Sequence, residues 1–344
     1  MPAIQRVLVT GVGGAPGFDL TRRLLSLNCD VIAADANPLA CGLLLDGVTP
    51  RLLPKAAEPD FRTRLLEVCR DLRPHALMCA VEHELPTLVS LAPDLEALGV
   101  RTWLPGPDAV TACLDKAAFH TALAAHGIPT PATFLPAELD NAQLPLALVV
   151  KPRRGHGSQG VSFCESRDQA HVLCELTCDP IVQELVEGSE FTADCLVDHT
   201  GRASVILRHR LLVKAGLAVV ARTFHDDEAA EQIRRTLNAV GASGLCCVQG
   251  FLREGDADHV TVTEVNLRVA GGFPLAEAAG AQLVQQALNG LFDRPVDHTR
   301  LAYKDDVYLT KYFETLASGP HPIARRLTAR THTPTSTSTQ EGSR

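Results

Sequence analysis

Residues able to do chemistry are densest in HVTVTEVNLRVAGGFPL, residues 259–275. Read as a strand with a period of two, Glu264, Asn266 and Arg268 share one face, and Val265, Leu267 and Val269 share the other. The acid and the amide offer hard oxygen ligands for Mg2+, a cation that favours carboxylates combined with substrate phosphates. Arg268 can fork onto a phosphate or a carboxylate. Ala270, Gly271 and Gly272 then remove side-chain bulk just beyond. Taken alone, the same face could equally be the solvated side of an edge strand.

Three other stretches could complete such a site. In CCVQGFL, Gln249 offers a further oxygen, while Val248 and Phe251 read as core. In LPLALVVKPRRGHGSQGVSF, residues 144–163, a strand delivers Lys151 to a loop holding Arg154, Gly155, Gly157, Ser158 and Gly160. A lysine beside a glycine loop can hold phosphates by charge and by backbone N–H groups, and the loop can close to exclude water. In PIVQELVEGSEFTADCLV, residues 180–197, a strand ends at Gln183, Glu184, Leu185 and Val186 before a turn at Gly188. Backbone groups there could read an adenine edge, and Glu190 could hold ribose.

A carboxylate substrate needs a cation. In ASVILRHRLLVKAG, Arg208 and Arg210 alternate onto one strand face and Lys214 follows; Arg210 and Arg268 are the preferred pair, and Arg208 would otherwise face solvent. An amine substrate needs an acid. Glu82 follows the third strand identified in the first domain, and ligands favour the carboxyl ends of parallel strands. The competing reading of Glu82 is an acid offsetting a helix dipole.

These segments must be positioned by an ordered scaffold. Residues 6–104 alternate strands (Val7–Val9, Val31–Ala34, Ala76–Val81) with helices (Phe18–Leu27, Phe61–Leu72), the pattern of a parallel sheet with crossovers. LPGPD, residues 104–108, is a proline-punctuated linker, and Asp115 caps a helix over KAAFHTALAAHG. From Leu146 short strands dominate, interrupted by helices near Arg167–Thr177, Asp226–Val240 and Pro274–Asn289, which suggests an antiparallel α+β unit. The apolar face of the last helix reads as core or as a dimer seam. Residues 331–344, THTPTSTSTQEGSR, have the composition of a disordered tail.

The opening VLVTGVGGAPGFDL spaces Gly11, Gly14 and Gly17 as G-x-x-G-x-x-G, with Asp35 ending the second strand. A dinucleotide enzyme of the short-chain type would also need Y-x-x-x-K, and none of Tyr303, Tyr308 and Tyr312 has a lysine four residues on. The glycines read instead as a close-packed turn, or as part of a substrate site. A net charge of −8 argues against nucleic-acid or anionic-membrane partners. Eleven cysteines without a CxxC pair argue against a disulfide scaffold or a zinc site; Cys174 with Cys178, and Cys246 with Cys247, read as buried small hydrophobes. With no room for a signal peptide and no membrane-length apolar run, the expected location is the cytoplasm. No Ser-His-Asp or Cys-His arrangement is evident.

The order of parts, Asp115-Lys116, KPRRGHGSQG, QELVEGSE, Gln249 and then EVNLR-AGG, resembles the ATP-grasp superfamily, in particular the carbamoyl-phosphate-synthase-like branch of stand-alone carboxylate–amine and amino-acid ligases. The resemblance implies an α/β plus α+β architecture: a Rossmann-like pre-ATP-grasp domain over 1–104, a central lid subdomain over 105–186, a C-terminal subdomain with the metal site over 187–317, and the tail over 318–344. It implies that Lys116 and Lys151 bind ATP phosphates, that the Arg154–Gly160 loop covers them, that Gln183, Glu184 and Val186 line adenine, and that Glu190 binds ribose. Gln249, Glu264 and Asn266 would hold Mg2+, two ions with Mn2+ as a substitute, and Arg268 would steady a phosphate. Two departures stand out: Leu267 where E-x-N-P-R has proline, and Gln249 where an acid is common.

The expected function is ATP-dependent amide formation between a small carboxylate, such as an amino acid, and an amine, through an acyl-phosphate, with a homodimer left open. The alternatives are an NAD(P)-dependent epimerase or reductase and a non-catalytic nucleotide-binding protein.

Overall fold

The computed structural model describes residues 4–315, apart from 146, 156, 158, 254, 256–258 and 313. The expected tail and Ser158 therefore lie outside the described residues, as do His156 and Leu146.

Four short runs form a parallel sheet: β1 (Arg6–Thr10), β2 (Asp30–Asp35), β3 (Val48–Leu52) and β4 (Ala76–Cys79), in the spatial order β3-β2-β1-β4. Helices α1 (Ala15–Ser26), α2 (Phe61–Leu72) and α3 (Leu85–Ala97) pack around it. Val7 and Val9 pack on the α1 side and Leu8 on the α2–α3 side, so β1 is buried on both faces. Strand β3 escapes a sequence reading because VTPRL is short and contains Pro50. The structure places it at the sheet edge, where a missing N–H is tolerated. Helix α1 starts three residues before Phe18 because Pro16 sits in the first turn, where no N–H is needed.

The glycine turn is explained by close packing. A Cβ on Gly17 would fall on the carbonyl of Gly11, which itself has φ +72. Asp35 Oδ2 accepts from Gly13 N (2.7 Å) and Asp35 Oδ1 from Asn37 N (2.9 Å), so the acid at the end of β2 ties the turn down.

Helices α4 (Pro107–Leu114) and α5 (Lys116–Ala125) follow. Asp115 caps α5, accepting from Ala117 N and Ala118 N. A small antiparallel sheet comprises β5 (Thr133–Phe134), β6 (Leu148–Pro152), β7 (Ser162–Cys164) and β8 (Pro180–Glu184), ordered β5-β8-β6-β7, with α6 (Arg167–Leu176) over one face. It has its own core around Leu139, Val150, Ala170 and Val182. By contrast, Ala109, Val110, Phe119 and Leu123 of α4 and α5 pack into the core of the large sheet.

That sheet contains β9 (Ser189–Val197), β10 (Ala203–Lys214), β11 (Leu217–Thr223), β12 (Gly244–Leu252), β13 (Val260–Asn266) and β14 (Tyr308–Thr310), ordered β13-β12-β9-β10-β11-β14 and antiparallel throughout. On β9, Phe191, Ala193, Cys195 and Val197 face α7 (Asp227–Ala239), while Leu196 faces the N-terminal unit. The expected helix Pro274–Asn289 is in fact two, α8 (Pro274–Ala278) and α9 (Leu283–Leu291). Gly280, at φ +113, breaks it between them. Leu283, Val284, Ala287, Leu288 and Leu291 of α9 are buried against β1 and α1, so its apolar face is core rather than a seam for a second copy. Cys174, Cys246 and Cys247 are buried as expected, but Cys178 lies past the end of α6 and is exposed.

Candidate active site

A cleft of about 670 Å³ opens between the small sheet and the six-stranded sheet, with the first turns of α1 and α5 on its wall. Alternation places the expected face there. Glu264 and Asn266 of β13, with Arg268 just beyond it, line the cleft, whereas Val265 and Leu267 belong to the core. Asn266 donates from Nδ2 to Glu264 Oε1 (3.0 Å) and accepts at Oδ1 from Arg268 Nη2 (2.9 Å), so the three side chains form one chain of hydrogen bonds. Gln249 of β12 stands directly opposite Glu264 in the ladder. Strand β6 delivers Val149 and Lys151 to the cleft and keeps Leu148 and Val150 in the core behind it.

Lys116 and Lys151 approach from the two sides. Lys116 Nζ donates to Gly155 O (2.9 Å), which anchors the glycine loop. The loop's Gly157 meets the turn between β10 and β11, where a Cβ on Gly216 would come within 2.9 Å of Gly157 Cα. The lid thus rests on that hairpin. Burial pulls the Lys151 ammonium down to about 8, with Glu264 opposing the shift and Lys116 adding to it. Burial also lowers Lys116, opposed by Glu264 and Glu82. Between about 8 and its ordinary 10.5 Lys151 binds more protons unfolded than folded, so its contribution to stability rises with pH across that window.

Gln183, Glu184, Leu185 and Val186 line the far end with Phe163 and Phe251, and Gln183 is held by a bond from its Nε2 to Thr133 Oγ1 (2.7 Å). Phe251 was expected in the core; it shares the Gln249 face and walls the cleft, which period-two counting from Gln249 would have shown. Glu190 lies in the cleft beside Arg210, whose Nε is 3.0 Å from Glu190 Oε1 and whose Nη1 donates to Gln249 Oε1 (2.8 Å). Burial raises the Glu190 carboxyl, against the attraction of Arg210. Gly271 and Gly272 line the wall next to Gly14, Ala15 and Pro16, so the N-terminal turn borders the cleft.

Some expected residues are placed otherwise. Arg208 is 2% exposed instead of facing solvent: it pairs through Nε with Asp194 Oδ2 (2.8 Å) and its guanidinium lies flat against Gly272 on the cleft wall. Arg154 is not among the residues lining the cleft and makes ion pairs with the buried Asp115 (2.6 Å) and with Asp179 (3.1 Å). Gly160 packs on Pro152, and Lys214 stands exposed at the end of β10. Glu82 lines a small recess beside Lys116, Glu264 and Asn266, with its Oε2 3.8 Å from Arg268 Nη2. Burial pushes the Glu82 carboxyl up to about 7, opposed by Arg268 and reinforced by Glu264.

One hydrogen-bond chain was not evident in the sequence. Ser204 Oγ lies 2.7 Å from His298 Nδ1, and His298 Nε2 lies 3.1 Å from Asp198 Oδ2. Asp198 also accepts from Thr200 Oγ1, Arg202 N and Thr200 N, and the Thr200 hydroxyl and His298, helped by the two N–H groups, hold its carboxyl down near 2 against the effect of burial. The chain pins residues 298–301 to the β9–β10 turn, outside the cleft.

A parallel α/β unit set against a small sheet and a large antiparallel sheet, with a lysine- and arginine-lined cleft between the two sheets, defines an ATP-grasp fold. A family model described as ATP-grasp domain matches residues 113–272. It is 27% identical over 248 residues to the uncharacterized protein y4rH of Sinorhizobium fredii, covering 65% of this chain and 49% of that protein, so it spans about half the length of this relative. Three solved structures share the fold. Biotin carboxylase of Campylobacter jejuni has a TM-score of 0.71 and 11% identity, covering 89% of this chain and 74% of its own. L-amino acid ligase of Bacillus licheniformis has a TM-score of 0.67 and 18% identity, covering 89% and 78%. Carboxyaminoimidazole ribonucleotide synthase of Aspergillus clavatus, complexed with ATP, has a TM-score of 0.68 and 19% identity, covering 88% and 80%.

Proposed function

We propose that the chain is an ATP-dependent carboxylate–amine ligase that joins a small carboxylate to an amine through an acyl-phosphate. The observation that carries this reading is the convergence of Lys116, Lys151, Glu264, Asn266 and Arg268 on one cleft. A carboxylate lacks a usable leaving group, and phosphorylation of one oxygen provides it. Lys116 and Lys151 neutralise and orient the phosphates, with the loop around Gly155 and Gly157 over them. The segment Gln183–Val186 and Phe163 take the adenine, and Glu190 takes the ribose.

The donor set suits magnesium. Glu264 supplies one carboxylate, Asn266 and Gln249 supply amide oxygens, and among the described residues no group of three or more His, Cys, Asp or Glu forms a metal cage. Such a set fits an ion shared with substrate phosphates. Gln249 would have to exchange its Arg210 donor for the ion. When bound, Mg2+ offsets phosphate charge as the carboxylate approaches. Arg268 and Arg210 hold the substrate carboxylate beside Ala270, Gly271 and Gly272, and Arg208, already tied to Asp194, backs that wall. Glu82, in the recess beside Lys116 and Glu264, is our candidate to receive the amine proton. We keep the division into 1–104, 105–186 and 187–317 as the working domain scheme and the cytoplasm as its setting, with a homodimer left open. Among the described residues no helix is long and apolar enough to cross a membrane.

The experiment is thermal unfolding followed by a screen for phosphate release. Mg-ADP at about 100 Kd is expected to stabilise the protein by roughly 2.7 kcal/mol. Phosphate release from Mg-ATP should then depend on both an added amino acid or other small carboxylate and an amine. Stabilisation by NAD(P)+ alone would contradict the reading and favour the epimerase alternative. Against that alternative, among the described residues no tyrosine lines the cleft, and Asp35 is engaged by its own turn.

Proton linkage offers a second check. Because Lys151 titrates near 8 in the free cleft, phosphates arriving beside it should return its proton. Mg-ADP binding at a pH of about 9 is expected to take up about one proton through Lys151, and the Lys151 contribution to vanish at about 6.5. Calorimetry in buffers of different ionisation enthalpy measures this, and equal uptake by Lys151→Met would exclude Lys151 as the source.

A further inference from the structure

A second cavity, of about 960 Å³, lies between α7 and the stretch that holds His298, Leu301 and Tyr303, and it shares no lining residue with the nucleotide cleft. Topology opens it. Strand β11 pairs with β10 only from Arg208 onward, so Ala203, Ser204 and Val205 form a bare strand edge on the cavity wall.

The Ser204–His298–Asp198 chain opens into this space, because Ser204 and His298 both line it. Asp198 fixes its polarity. Bonded as described, that carboxyl is ionised at neutral pH and can only accept, so the proton of the neutral imidazole sits on His298 Nε2. Nδ1 is left to accept the Ser204 hydroxyl at 2.7 Å. A serine donating to an imidazole whose far nitrogen is held by a carboxylate is the arrangement that activates a hydroxyl for attack on an acyl carbon.

Such an attack also needs a donor for the oxyanion. The bond from Asp198 N to Arg202 O sets the β9–β10 register, so Ser204 and Ile206 turn their N–H groups towards β9. Val205 and Leu207 turn theirs the other way. Leu207 donates to Tyr303 Oη (3.3 Å), whereas Val205, directly after the serine, has no acceptor among the described residues. The lining carries charges of both signs. Asp226 is bonded to His259, Glu231 to Arg234 and Arg235 to Gln232, while Asp227 offsets the dipole at the start of α7. Arg202, two positions before Ser204, makes no ion pair among the described residues.

We propose that Ser204 is the nucleophile of a second catalytic site, independent of ATP, which hydrolyses a carboxylic ester bearing an acidic group on its acyl side. Ser204 Oγ attacks the carbonyl carbon as His298 Nδ1 takes the hydroxyl proton, and Val205 N–H receives the oxyanion. The ester C–O bond breaks, and the leaving alkoxide takes the proton from Nδ1. Water then repeats the sequence on the acyl-serine, which releases the acid and restores the hydroxyl. Arg202 holds the acidic group.

The test is release of nitrophenolate by the full chain from the mono-p-nitrophenyl ester of glutaric acid, with p-nitrophenyl acetate as the uncharged comparison. The glutarate ester is expected to react at least about tenfold faster, and mass spectrometry of the quenched protein to find the acyl group on Ser204. Ser204→Ala should lower the rate at least about 10²-fold, with unchanged melting as its control of folding. Ser204→Cys, which keeps a nucleophile, should still take up one acyl group per chain. Saturating Mg-ADP should leave the rate unchanged. No acyl group on Ser204, a rate retained within tenfold in Ser204→Ala, or inhibition by Mg-ADP would overturn the proposal. Equal or faster hydrolysis of the acetate would overturn the substrate class.

Discussion

Glu264→Gln is expected to lower ATP turnover on the order of 10³-fold while leaving the melting temperature within a degree or two, since loss of one preorganised charge at a transition state costs roughly 10²–10³ or more. The substitution is isosteric and keeps an oxygen for the Asn266 Nδ2 hydrogen bond, so the side-chain relay to Arg268 survives. What disappears is charge. Among the described residues, Glu184, Glu190 and Glu264 are the carboxylates lining the cleft; Glu184 accepts from Ala132 N at the far end, and Glu190 is paired with Arg210. Glu264 alone of these stands among Lys116, Lys151, Gln249 and Asn266, where the phosphates and Mg2+ would meet. Two readouts check it: phosphate release with a competent substrate pair, and the Mg2+-dependent part of ADP affinity. Turnover retained within tenfold, with Mg2+ dependence intact, would remove Glu264 from the metal site.

Asp194→Ala should be the most destabilising of the conservative truncations, by about 3–5 kcal/mol, the cost of leaving a buried charge without its partner. Asp194 and Arg208 are 1% and 2% exposed, and Arg208 Nη1 already has no hydrogen-bond partner among the described residues. The alanine variant would strand the whole guanidinium inside the sheet. A double replacement, Asp194→Leu with Arg208→Met, should recover most of the loss, because a buried pair exchanged for apolar groups of similar volume is often neutral. Urea unfolding of the two variants measures both values. Equal destabilisation by the single and the double replacement would mean that packing, rather than the unpaired charge, sets the cost.

Much of the site was legible because strand periodicity is local. Glu264, Asn266 and Arg268 at alternate positions share a side of any extended chain, whatever surrounds it, and Val149 and Lys151 obey the same rule. Capping is equally local, so Asp115 could be placed at the start of α5 from its position alone. Phe251 was misplaced by treating its hydrophobicity as evidence of burial, although the walls of ligand clefts are also apolar. The break at Gly280 escaped a reading based on helical spacing, since PLAEAAGAQLVQQALN keeps its apolar period through the glycine.

From its sequence alone this protein was bound to contain a crossover α/β unit, a later α+β unit, and a carboxylate–amide–guanidinium strand face, since these depend on spacings of a few residues along one chain. Only the tertiary structure decided which charges remained available to a ligand. Arg154 was paired with Asp115, Arg208 was taken by Asp194, and Arg210 was shared between Glu190 and Gln249, with partners between 14 and 39 residues away for the hydrogen-bonded pairs. Opposite charges find one another through space once the sheet is built, and the spacing of residues along a chain carries no record of that competition.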